Sequence, residues 1–234
     1  MNYIYDTLKK ISYPGRGIMM GRTPDAKSAF LAYFITGRSE NSRNRVFSEE
    51  GTSLYTRPFD EKKVTDPSLI IYRAVAVYEN KLIATNGDQT DTVYHGLESS
   101  VSFSDILKTR TFEPDSPNYT PRISAIFSLD GEDSEFFMNI IKCADGKGEK
   151  AERFDFTYPA IPGDGRFIRT YEDDGDPLSS FSGEPVRFET ENDIDVFSEK
   201  LWESLNDENK ISLYVRYVDL KTGEWESRLI NKNK

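Results

Sequence analysis

Apolar and polar positions along this 234-residue chain predict many strands and few helices. Residues 29–36, 68–77 and 122–129 are runs of β-branched, aromatic and small apolar side chains, and 68–77 (Ser-Leu-Ile-Ile-Tyr-Arg-Ala-Val-Ala-Val) is the strongest of them. Residues 81–85 form its hairpin partner across Tyr78-Glu-Asn-Lys. A second hairpin joins 211–219, which alternates apolar and polar, to 225–230 across Lys221-Thr-Gly-Glu. Shorter extended segments are expected at 55–59, 154–158 and 166–171, while 135–143 fits strand and helix equally well. Helical spacing is clearest over 194–205, where Ile194, Phe197, Leu201, Trp202 and Leu205 share a face. Residues 93–108 hold one or two helices around Val101, Phe103, Ile106 and Leu107, and 4–10 is a short helix or an irregular lead. Pro114, Pro117 and Pro121 interrupt the chain, and 159–165 and 173–184 are turn-rich. With no βαβ alternation, repeat or linker, the pattern predicts an α+β class with largely antiparallel sheets, in one domain over residues 1–234.

Composition narrows the class. At 37% hydrophobic, 30% charged and 13% aromatic residues the chain is a soluble globular one, and no segment approaches the ~20 apolar residues that span a bilayer. Residues 1–10 carry Asp6, Lys9 and Lys10 and no apolar h-region, so no leader is expected and the location is cytoplasmic. A single cysteine, Cys143, allows no internal disulfide and reads as a buried hydrophobe. With a single histidine, His95, no Cys/His zinc cage can form. Magnesium is left open by 40 acidic residues, but no spacing points to a site.

The net charge of −10 argues against a nucleic-acid partner, yet its distribution is uneven. Residues 1–57 hold nine Lys and Arg against five Asp and Glu, and the rest of the chain carries −14. A basic part on an acidic body suits a pocket for a small anion. Residues 37–45, Gly-Arg-Ser-Glu-Asn-Ser-Arg-Asn-Arg, follow an apolar strand directly and are the densest array of donors in that part. Arg38, Arg43 and Arg45 there are the leading candidates for phosphate or carboxylate, against the plainer reading of a solvated loop. Arg16 and Arg22 are lesser candidates, one of them expected to face solvent, in a segment whose three glycines allow close approach to a ligand. The polar run Asn86-Gly-Asp-Gln-Thr-Asp-Thr92 reads as a loop offering groups for a heterocycle or ribose, or as a turn that bonds its own backbone. Tyr72 by itself is a core tyrosine, and His95 reads as structural. No Walker loop or nucleophile elbow is present, and the start Met1-Asn2 offers no processed nucleophile.

Arg38-Ser-x-x-x-Arg-Asn-Arg45, Tyr72 in its strand, the 86–92 run and Thr120-Pro-Arg-Ile123 stand in an order and spacing that resembles the archaeal-type IMP cyclohydrolase family. The resemblance implies a four-layered αββα core like that of the N-terminal-nucleophile hydrolases, without their nucleophile. It implies IMP cyclohydrolase activity: 5-formamidoimidazole-4-carboxamide ribotide closes to IMP with loss of water in purine biosynthesis, without metal or cofactor. Tyr72, Glu113 and Arg43 would be catalytic. Arg38, Ser39, Arg45, Asn86, Asp88, Asp91 and Arg122 would hold substrate. The segment 113–120 looks one residue longer than the family pattern, with Tyr119 before Thr-Pro-Arg, so Asp115 is the alternative to Glu113. The expected partner is a small ribonucleotide, with no nucleic acid or membrane and with room for a homo-oligomer. The competing reading is a ribonucleotide-binding or regulatory protein of the same fold without turnover; an amidohydrolase of that architecture ranks lower for want of a nucleophile.

Overall fold

The computed structural model describes residues 4–64 and 71–233. The readings of Met1-Asn2 and of 68–70 lie outside these residues. In chain order the strands are β1 (Arg16–Arg22), β2 (Ser28–Thr36), β3 (Arg45–Glu50), β4 (Ser53–Pro58), β5 (Tyr72–Tyr78), β6 (Lys81–Thr85) and β7 (Arg122–Ser128). They continue with β8 (Glu135–Cys143), β9 (Ala151–Pro159), β10 (Asp164–Arg169), β11 (Val186–Glu189), β12 (Lys210–Asp219) and β13 (Trp225–Asn231). The α-helices are α1 (Ile4–Leu8), α2 (Glu40–Arg43), α3 (Gln89–Glu98), α4 (Phe103–Leu107) and α5 (Ile194–Ser204).

Consecutive hairpins account for one sheet. Strands β3 to β9 form an antiparallel meander in sequence order, while the other sheet runs β11-β10-β1-β2-β12-β13 and unites both ends of the chain. The class is therefore α+β with two largely antiparallel sheets, as the pattern predicts, and 135–143 resolves as strand. Strands β3 and β11, which the apolar pattern alone did not single out, complete the sheets.

Alternation decides where each face goes. In β2, Leu31, Tyr33 and Ile35 join a core shared with Phe47, Leu82, Ile123 and Met138 of the meander. Phe30, Ala32 and Phe34 join a second core with Ile4 and Leu8 of α1 and Phe197 and Leu201 of α5. A third core sets Val93 of α3 and Phe103 and Ile106 of α4 against Ala76, Ile83 and Ile126 of the meander. Burial on both faces is why β2 reads as an unbroken apolar run. It also corrects the expectation for β12, whose polar positions Ser212 and Arg216 are buried, Arg216 leaving only 1% exposed. Among the described residues no helix is long and apolar enough to cross a membrane.

Within the glycine-rich 13–22 segment, residues 16–22 are the buried strand β1. A Cβ on Gly17 would lie 2.3 Å from Phe34 Cζ and 2.7 Å from Phe167 Cε2, so this glycine makes room for core rings. Gly17→Ala is expected to cost about 1–3 kcal/mol of unfolding free energy through overpacking. An unchanged denaturation midpoint would show that the rings have space to yield.

Candidate active site

In an antiparallel meander, alternate strands run the same way, so β3, β5 and β7 all begin at one end of their sheet. Their first residues are Arg45, Tyr72 and Arg122. Each is two strands from the next, roughly 10 Å at the usual strand spacing. The first residue of β1 in the facing sheet, Arg16, comes to the same end, where its guanidinium lies 3.9 Å from the carboxylate of Glu113. Residues 29, 56 and 106 positions from Arg16 are thereby gathered by topology alone.

A cavity of about 440 Å³ opens here, lined among others by Arg16, Arg38, Ser39, Arg45, Glu113 and Thr120. That volume falls within the ~300–1,000 Å³ of small-molecule sites. The inner end is unusual in its charges. Arg16 and Arg45 are only 8% and 6% exposed. The Nε of each is buried without a hydrogen-bond partner, and the Arg45 guanidinium makes no side-chain hydrogen bond or ion pair among the described residues. Burial and the neighbouring Arg16 push Arg45 below the ordinary guanidinium range. Arg16 is also penalised by burial, but Glu113 and the hydroxyls of Tyr72, Tyr171 and Tyr33 more than offset this and hold it well above that range. Burial raises Glu113 above the usual carboxylate value, against the pull of Arg16 and Arg122. Two buried cations beside Glu113 make this end of the cavity a place where an anionic or strongly polar oxygen is stabilised.

Of the two carboxylates that line the cavity, Glu113 and Asp115, the second is already engaged within its own loop. Asp115 accepts from the backbone N–H of Thr120 at 2.6 Å and from its hydroxyl, while Glu113 N–H donates to Thr120 O at 2.9 Å. These bonds close the 113–120 loop on itself. Thr120 Oγ1 also meets Tyr171 OH at 2.5 Å. Tyr171 stacks on Tyr13 with ring centroids 5.8 Å apart, and Arg38 lies over the other ring at 4.8 Å from its centroid. Arg38 sits at the mouth, bonded to Asp174 and to Gly175 O. Ser39 caps α2, its hydroxyl accepting from Ser42 N. Tyr72, 5% exposed, touches Tyr33 of the facing sheet, hydroxyl to hydroxyl at 2.9 Å.

Several of the residues singled out in the sequence are elsewhere. Arg43 points away from the cavity: its guanidinium donates to Gly37 O at 3.1 Å and Asn209 Oδ1 at 3.5 Å, and it lines a separate cleft with Glu40, Phe59 and Lys63. Arg43 ends α2 and Arg45 begins β3, and the change of backbone direction at Asn44 puts them on different sides. Asn86 is fully buried as a clamp, accepting from Ile123 N at 2.9 Å and donating to Pro121 O at 2.9 Å. Asp88 bridges Arg110 and Arg122 at 2.5 and 2.8 Å; burial raises it, but the two guanidiniums keep it below the usual carboxylate range. Asp91 pairs with Arg73 at 2.7 Å. The second half of the 86–92 run is the start of α3, not loop. The run thus braces Arg122 and the 121–123 backbone behind the cavity and does not line it. Arg122 is 2.6 Å from Gln89 Oε1 and close enough to Glu113 to act on its charge.

Neither Arg16 nor Arg22 faces solvent: Arg16 is in the site, and Arg22 binds Ala26 O from both Nε and Nη2 across the β1–β2 turn. Cys143 is half-buried rather than buried, with its thiol donating to Asp145 Oδ1. His95 pairs with Glu98 on the exposed face of α3. Tyr13, Tyr33 and Tyr171 were not anticipated, and nothing in their local sequence marks them.

The fold and site together define a two-sheet α+β protein with an arginine-lined pocket between its sheets. The chain belongs to the IMP cyclohydrolase-like family, whose sequence profile it matches over residues 13–223. It is 30% identical over 183 residues to the IMP cyclohydrolase of Methanopyrus kandleri, covering 72% of this chain and 89% of that protein. To the IMP cyclohydrolase of Methanococcus maripaludis strain S2 it is 28% identical over 145 residues, covering 60% of this chain and 68% of the relative.

Proposed function

We propose that this protein is an IMP cyclohydrolase, closing 5-formamidoimidazole-4-carboxamide ribotide to IMP with loss of water. The observation that carries the reading is the partnerless guanidinium of Arg45 beside Arg16, Glu113 and Tyr72, in a chain whose relatives bear that name. The carboxamide nitrogen attacks the formyl carbon of the same molecule, so holding the two groups in contact supplies much of the rate. As the N–C bond forms, one proton leaves that nitrogen and the formyl oxygen becomes a hydroxyl. The C–O bond then breaks, the former formamido nitrogen gives up its proton, and a C=N bond and water result. Glu113, held above the usual carboxylate value by burial, takes the first proton. The Tyr72 hydroxyl donates to the formyl oxygen, and Arg16 and Arg45 stabilise the charge that develops on it. Arg38 and Ser39 at the mouth take the phosphate.

Neither step changes an oxidation state or requires a Lewis acid, so we propose that no metal or cofactor takes part. We read the three apolar cores as the seams of a four-layered αββα arrangement like that of the N-terminal-nucleophile hydrolases, in a single cytoplasmic domain. The acidic surface supports a ribonucleotide as partner in preference to nucleic acid or membrane, and accommodates a homo-oligomer.

The test is to supply the formamido ribotide to the purified protein and follow IMP spectroscopically. No IMP above the uncatalysed rate sinks the proposal, and ligand binding without product would favour a non-catalytic ribonucleotide binder. Arg45→Met should lower kcat/KM by roughly 10–100-fold, the worth of hydrogen bonds to a charged group. Arg43→Ala should remain within about twofold of the parent, since Arg43 lies outside the cavity.

A further inference from the structure

We infer that Tyr33, a core residue of the facing sheet, is a positioning residue that fixes the direction of the Tyr72 hydroxyl by donating a hydrogen bond to it. Tyr33 is fully buried at the middle of β2, its ring stacked on Phe47 with centroids 5.4 Å apart. Among the described residues its hydroxyl has one partner, Tyr72 OH at 2.9 Å. Each hydroxyl has a single proton, and only one of them can lie between the two oxygens.

The alternatives differ in what they leave over. If Tyr72 donated, the Tyr33 proton would have no acceptor in a dry core, which is the costly arrangement for a buried donor. If Tyr33 donates, its own proton is satisfied, and the Tyr72 proton is left for a partner outside the pair; Tyr72 is 5% exposed and stands near enough to the cavity-lining Arg16 and Arg45 to act on both. The buried partner therefore sets the polarity of the pair, and Tyr72 presents a donor to whatever oxygen lies there. Tyr33 touches no part of the cavity itself. The pair joins two tyrosines 39 residues apart in sequence and on different sheets, and neither is informative without the other.

This inference rests on the cyclohydrolase reading for its kinetic arm and is independent of it for its spectroscopic arm. The variants are Tyr33→Phe, Tyr72→Phe and the double substitution in the full chain, each checked for a parental circular-dichroism spectrum. In protein labelled with 13C at tyrosine Cζ, the Tyr72 resonance, assigned by its loss in Tyr72→Phe, should move in Tyr33→Phe. With the formamido ribotide, Tyr33→Phe should lower kcat by about tenfold with KM within about twofold, the pattern of an interaction realised in the transition state. In the Tyr72→Phe background the same change should have no further effect, whereas a general packing defect would add. A Tyr72 resonance that stays in place in Tyr33→Phe overturns the inference, as does an additive loss in the double variant. Absence of IMP formation by the parent protein overturns the cyclohydrolase reading only, and the resonance then decides the role of Tyr33.

Discussion

Replacing Glu113 by Gln is expected to lower kcat for IMP formation by roughly 10²–10⁴-fold while leaving the fold intact, the usual range for removing a general acid or base. The side chain keeps its shape but can no longer take the proton from the carboxamide nitrogen, and Asp115 cannot substitute while both its oxygens are held by Thr120. The pH dependence follows from the direction of the shift. Burial holds Glu113 above the usual carboxylate value, so the acidic limb of kcat/KM should fall above the ordinary ~4.3 of a glutamate. Activity is lost as pH drops through that raised value, and the limb should vanish in Glu113→Gln. A limb at the ordinary value, or one that survives the substitution, would remove Glu113 from the mechanism. Stability moves the other way. A carboxyl whose folded value is raised contributes stability below its unfolded value and loses it as pH rises through the folded one. At neutral pH the variant should therefore melt no lower than the parent, and the advantage should disappear below the ordinary carboxylate range.

Glu49→Ala is expected to cost about 3 kcal/mol of stability, the lower end for breaking a buried pair, since 24% of the Glu49 side chain remains exposed. Its partner Arg216 sits at 1% exposure between the sheets. Arg216 donates to Glu49 Oε1 at 3.2 Å, to Thr52 O at 3.0 Å and to Tyr214 OH at 2.7 Å, and lies 4.1 Å from the centre of the Trp225 ring. Tyr214 OH in turn donates to Glu49 Oε1 at 2.5 Å, and Ser227 Oγ to Oε2 at 2.8 Å. Removing Glu49 strands a guanidinium and two hydroxyls together, pinned between the β3–β4 hairpin and the β12–β13 hairpin. For a chain of this size the loss corresponds to a drop in Tm of roughly 6–12 °C. Adding Arg216→Met should recover part of it, because the stranded charge is the main cost. A Tm within about 2 °C of the parent would show that water reaches Arg216 and that the network matters little.

Neither effect could have been assigned from local pattern, and the reasons differ. Arg216 occupies a polar position in an alternating strand, which reads as a solvent face. It is buried because the meander covers that face of β12, a fact about residues 45–159. Arg43 and Arg45 are equivalent by composition and two apart, yet one short helical turn sends Arg43 to a different cleft. The 86–92 run is rich in hydrogen-bonding groups, but those groups close on Arg73, Arg110 and Arg122 and on the 121–123 backbone. A list of donors does not reveal whether its partners are already inside the protein.

The elements that local periodicity does govern were legible: the helix α5, the hairpins β5–β6 and β12–β13, and the strand-rich, largely antiparallel class. The motifs that resemble the family are legible as well, and of the residues they mark, Arg38, Ser39, Arg45 and Glu113 line the cavity while Arg43, Asn86, Asp88 and Asp91 do not. Their convergence was not legible. Arg16, Arg45, Tyr72 and Arg122 each begin a strand, and only the parallel sense of alternate strands in a meander, closed against a second sheet, brings four such distant beginnings to one end. Short-range side-chain preference specified the pieces of this protein. The burial of both sheet faces, which acts over the whole chain at once, decided which charges would be left without partners and so where its chemistry can occur.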